Sequence, residues 1–118
     1  MIHIIDDDPC ILSILSEIMK ALDYPAATFS CPNNYCEYAN SNNYEHPNII
    51  ITDVTMPELN GYQLMKNVSA IHKEVKFIVM TGYQDTTNEL SEHPHIFMKK
   101  PFRPKELDMN IQQLINAA

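Results

Sequence analysis

Short apolar runs that stop abruptly at polar residues set the rhythm of this chain. Ile2 to Ile5 is mostly apolar and β-branched and gives way at once to Asp6, Asp7 and Asp8, which reads as a buried strand emerging at Asp6. Asp8 then supplies a helix N-cap and Pro9 a first-turn proline. Ile11, Ile14, Leu15, Ile18 and Leu22 recur at helical spacing behind them, predicting a first helix whose apolar stripe they form.

The alternation continues. Ala26 to Phe29 predicts a second strand, and Pro32 opens a polar helix through Tyr35 and Tyr38 before an Asn-rich loop. Asn48 to Asp53 repeats the first design, an apolar strand ending in a carboxylate, followed by a turn containing Pro57, Asn60 and Gly61 and a helix through Leu64, Met65 and Val68. Val75 to Met80 is an apolar strand ending in Thr81-Gly82, and His95 to Met98 another ending in Lys99-Lys100-Pro101. Pro104 fits the first turn of a last helix striped by Leu107, Ile111, Leu114 and Ile115. Strand and helix alternating with near-continuous apolar strands predict an α/β domain, a doubly wound five-stranded parallel sheet of order 2-1-3-4-5 with helices on both faces.

Composition narrows the function. A length of 118 residues predicts one domain over 1–118 with a core of its own. The formal charge of -7 with few Lys and Arg leaves no basic stripe for direct nucleic-acid binding. No apolar run approaches the roughly 20 residues that span a bilayer, and the acidic start is unlike a signal peptide, so membrane insertion is not expected and a cytoplasmic location is. Cys10, Cys31 and Cys36 match no zinc or redox spacing and read as reduced thiols. His3, His46, His72, His93 and His95 read as surface histidines rather than a metal set.

The candidate chemistry lies at the strand tips, because open α/β sheets bind ligands outside the C-terminal strand ends, beside the point where strand order reverses. Asp6, Asp7 and Asp53 terminate the two strands flanking that point. Crowded carboxylates repel, and a hard cation with oxygen ligands such as Mg²⁺ relieves the repulsion. Thr81 and Lys100, at two further strand tips, would bring a hydroxyl and an ammonium suited to phosphoryl oxygens. A carboxylate nucleophile beside metal and ammonium suits phosphoryl transfer to Asp53.

Four segments, Ile4-Ile5-Asp6-Asp7-Asp8-Pro9, Ile50-Ile51-Thr52-Asp53 through Met56-Pro57 to Gly61, Met80-Thr81-Gly82 and Lys100-Pro101-Phe102, resemble in order and position the receiver domain of two-component response regulators. The resemblance implies a flavodoxin-like fold and a phosphoacceptor, not an enzyme beyond slow self-dephosphorylation. It implies that Asp53 takes a phosphoryl group from a histidine kinase or phosphotransfer protein, and that Asp6, Asp7, Asp53 and the Thr55 backbone carbonyl hold Mg²⁺. It further implies that Thr81 and Lys100 bind the phosphoryl group, that Phe97 turns inward as an aromatic switch, and that the Lys100–Pro101 bond is cis. Tyr83, near the site, is expected to screen the phosphoryl group from water.

The stretch between Thr81 and Lys100 departs from the family pattern, with Ser91-Glu92-His93-Pro94-His95 where an Ala-Gly-Ala-like turn is usual. A short fourth helix is expected there, and the usual dimer and downstream protein target are not carried over. With no output domain expected after the last helix, the signal would leave through a protein surface. Two rival readings stay open: a receiver-like interaction module working without phosphate, and a haloacid dehalogenase-type phosphatase with Asp6 as nucleophile and Asp8 as acid.

Overall fold

The computed structural model describes residues 1–54, 56, 59–81, 95–100 and 102–116, with Thr81 and His95 described for their backbone alone. Its elements are β1 (Ile2–Ile5), α1 (Pro9–Ala21), β2 (Ala26–Phe29), α2 (Pro32–Ala39), β3 (Ile49–Asp53), α3 (Gly61–Ile71), β4 (Lys76–Thr81), β5 (His95–Lys99) and α4 (Pro104–Asn116). The strands form one parallel sheet in the order β2-β1-β3-β4-β5, as the alternation predicts. The expected short helix after Thr81 lies outside the described residues.

Side chains alternate across a strand, so each central strand feeds two cores. Ile2, Ile4, Ile49, Ile51, Ile78 and Met80 face α1 and α4, while Ile5, Ile50, Phe77 and Val79 face α2 and α3. With both faces covered, these strands need not alternate apolar with polar, which is why they read as unbroken apolar runs.

Two helix stripes differ from the sequence reading. In α1 the buried residues are Leu12, Leu15 and Met19, with Ile11 and Ile18 half-buried at the flank, and Ile14 is 53% exposed. In α4, Leu107, Ile111 and Leu114 are buried but Ile115 is 54% exposed. Where a helix offers more apolar residues than one face can hold, docking on the sheet selects among them.

His3 also departs from expectation. It is a core residue, 1% exposed, and its Nδ1 lies 2.8 Å from the Tyr35 hydroxyl, which itself bonds the Tyr44 hydroxyl. Burial, with the nearby Met1 ammonium, lowers its pKa to about 4, so the ring is neutral near pH 7 and can join a core as a hydrogen-bonded aromatic.

Candidate functional site: a carboxylate cluster at the strand tips

Sheet register assembles the site. Ile5 of β1 pairs with Thr52 of β3, so the next residues on the two strands, Asp6 and Asp53, emerge side by side. One step across, Asp53 pairs with Met80 and Met80 with Met98, which places Lys100 two residues beyond that row. The carboxylate oxygens of Asp6, Asp7 and Asp53 come within 4.8 Å of one another. Lys100 Nζ donates to Asp53 Oδ2 at 2.8 Å and lies 3.5 Å from Asp6 Oδ2.

Local contacts hold these groups in place. Asp6 is fully buried, and its Oδ1 accepts the Asp8 backbone N–H at 2.9 Å. Asp8 is the N-cap of α1, its own carboxylate accepting the Cys10 N–H, which separates it from the acidic cluster and leaves it the capping role. On the other side, Asn60 and Gln63 form a reciprocal capping box at the start of α3. The Gly61 N–H donates to the Val54 carbonyl at 2.9 Å, and a Cβ at Gly61 would collide with the Asp53 carbonyl. Glycine there lets α3 close onto the Asp53 backbone.

The electrostatics are lopsided. Burial raises the Asp6 pKa, the Asp8 N–H and Lys100 pull it back, and the charges of Asp53 and Asp7 raise it again; the net direction is upward. Burial alone would lower the Lys100 pKa, but its bonds and charge contacts with Asp53 and Asp6 outweigh this and hold it above the usual lysine range. Each pair of carboxylates this close repels by roughly 3 to 4 kcal/mol at an effective dielectric near 20, and Lys100 answers only part of it. The all-oxygen donor set suits a hard divalent cation.

The other expected residues are placed unevenly. Thr81 ends β4, paired with Lys99, on the same rim, and its hydroxyl lies outside the described residues. So do the Thr55 carbonyl, the Lys100–Pro101 bond and Tyr83. Phe97 is 52% exposed, on the α3 side of β5, with its ring edge-on to Tyr62 at a centroid distance of 6.2 Å. The close approach at Gly61 and the backbone bond from Asp8 to Asp6 had no reading in the sequence; the only signal was a glycine eight places after the acid.

The receiver-domain model of response regulators matches residues 2–112. The chain belongs to the response regulator receiver domain family. Among curated relatives of this receiver domain, response regulator SaeR of Staphylococcus epidermidis is 28% identical over 115 residues, covering 95% of this chain and 48% of the relative. A probable transcriptional regulator of Cyanophora paradoxa is 27% identical, covering 97% of this chain and 47% of that one. The chain thus spans about half the length of these relatives. A receiver domain from Clostridium thermocellum shares the fold with a TM-score of 0.87 at 24% identity, covering 98% of this chain and 93% of the other. The receiver domain of a sensor histidine kinase from Pseudomonas aeruginosa has a TM-score of 0.84 at 19% identity, covering 98% and 97%, and was solved with magnesium coordinated in its active-site cleft. Among the described residues no helix is long and apolar enough to cross a membrane.

Proposed function

We propose that this receiver domain accepts a phosphoryl group on Asp53 from a histidine kinase or phosphotransfer protein and changes conformation in response. The observation that carries this reading is the convergence of Asp6, Asp7 and Asp53 within 4.8 Å with Lys100 bonded to Asp53 at 2.8 Å. A structural surface cluster has no need to crowd two buried acids around one ammonium.

Asp6, Asp7 and Asp53, with the Thr55 carbonyl, would hold Mg²⁺. When bound, the metal offsets the acids' charge and that of an incoming phosphoryl group. In the transfer, an Asp53 carboxylate oxygen forms a bond to phosphorus as the bond from phosphorus to the donor's imidazole nitrogen breaks. Lys100 leaves Asp53 Oδ2 to pair with a phosphoryl oxygen, and the Thr81 hydroxyl donates to another. The partly exposed Phe97 then turns inward, carrying the change to the surface read by a downstream protein target. A chain acting as a single-domain regulator would pass the signal through that surface.

Intact-mass measurement after incubation with acetyl phosphate tests the reading. The wild type should gain about 80 Da in the presence of Mg²⁺ and nothing after chelation, while Asp53→Asn gains nothing. A wild type that takes no adduct under any of these conditions would leave the phosphate-independent module as the better reading.

A further inference from the structure

The acidic rim occupies the C-terminal ends of the strands. At the opposite end, where β1, β3 and β4 begin, the surface sinks into a cleft of about 750 Å³, within the range of small-molecule sites. Its walls are largely apolar: Ile2, Ile49 and Val75 at the strand starts, Tyr24 from the turn after α1, and Leu114 near the end of α4.

The polar groups of this cleft carry the opposite sign to the rest of the molecule. Lys73, Lys76 and Met1 line it, the last bringing an amino group that donates to Asn48 Oδ1 at 3.1 Å, and Glu74 is the one acid among the described lining residues. The chain as a whole has a formal charge of -7. Lys76 is anchored at this wall by donation from Nζ to the Leu114 carbonyl at 2.9 Å. His46 and His72 also line the cleft, packed edge to face with ring centroids 4.4 Å apart. His72 Nε2 must donate to the Ala39 carbonyl, 2.9 Å away, since a carbonyl only accepts.

We infer that this cleft is a second binding site, for a small molecule with an anionic head and an apolar body. The aliphatic walls take the body, and the lysines take the head. A free cation is a poor occupant, because the lining lysines repel it. The site is independent of phosphoryl transfer at the other end of the sheet.

Titration of the full chain with octanoate and with phenyl phosphate, followed by amide NMR, tests this, with octanol as the uncharged match. Saturable shifts centred on Ile2, Val75 and Leu114 are expected for at least one anion, with octanol binding more weakly. Lys73→Glu, a change at an exposed side chain, should weaken the anion roughly five- to tenfold, and Asp53→Asn should leave its affinity unchanged. Shifts that do not saturate, shifts centred on Asp6 and Asp53, equal binding of octanol, or indifference to Lys73→Glu would each overturn the proposal.

Discussion

Strand β1 and its tip contribute to two buried polar clusters only three residues apart, and these are built on opposite plans. His3 sits in a closed network: Tyr35 bonds both His3 and Tyr44, and no described buried side-chain nitrogen or oxygen lacks a partner. Asp6 sits in a charged one, where its carboxylate meets those of Asp7 and Asp53 and the Lys100 ammonium reaches Asp6 and Asp53. The first is neutral and complete, so it holds α2 and the segment carrying Tyr44 against the sheet. The second crowds like charges together, so a bound cation would lower its energy. A buried polar group thus points to structure when its partners cancel it and to a ligand when they do not.

Breaking the closed network should have the largest effect. His3→Ala leaves a cavity and takes one of its two partners from the Tyr35 hydroxyl, and an expected loss of about 4 kcal/mol is measurable by urea unfolding. A loss below about 1 kcal/mol would mean that the network contributes little to holding α2.

The two clusters should also differ in the sign of their pH dependence. The folded-state pKa of His3 is about 4, against an ordinary histidine value of 6.5, so between those values the unfolded chain binds more protons and stability falls as pH falls. Integrated over that window the loss is about 3 kcal/mol. Asp6 is shifted upward, so above its unfolded pKa the folded state binds more protons and stability falls as pH rises through its folded value. Without divalent metal, His3→Gln should remove the acid-side loss and leave the Asp6 slope visible in unfolding measured across this range.

Metal should sharpen the contrast further. Saturating Mg²⁺, at about a hundred times its dissociation constant, should stabilise the wild type by about 2.7 kcal/mol in thermal or urea unfolding, an effect reversed by chelation. Asp6→Asn should abolish most of that gain, while His3→Gln should keep it. Equal responses in the two variants would show that the metal effect does not come from the carboxylate cluster.

The smallest effect is expected for Tyr44→Phe, which removes the outer hydroxyl of the network and keeps the ring packed against Tyr35, Tyr38 and His72. About 1 kcal/mol should be lost, with no change in phosphoryl uptake.

Much of this molecule was legible before any coordinates. Apolar runs at Ile2–Ile5, Asn48–Asp53 and Val75–Met80, bounded by helices with proline or Asn/Asp starts, specify a parallel sheet because periodicity and capping are local properties. The acids were legible for the same reason: each lies where an apolar strand stops, and strand ends in such folds meet at one rim. Tertiary structure decided the rest. Which apolar residues of α1 and α4 turn inward depends on how each helix docks, so Ile14 and Ile115 stayed outside while Leu12 and Met19 went in. His3 looked like a surface residue because its partners, Tyr35 and Tyr44, lie 32 and 41 positions away, a pairing no local pattern carries. His46 and His72, scattered in sequence, meet at the far cleft for that reason too. Local patterns set the elements and the carboxylates they end in; long-range packing set which apolar faces turn inward and which distant polar groups meet.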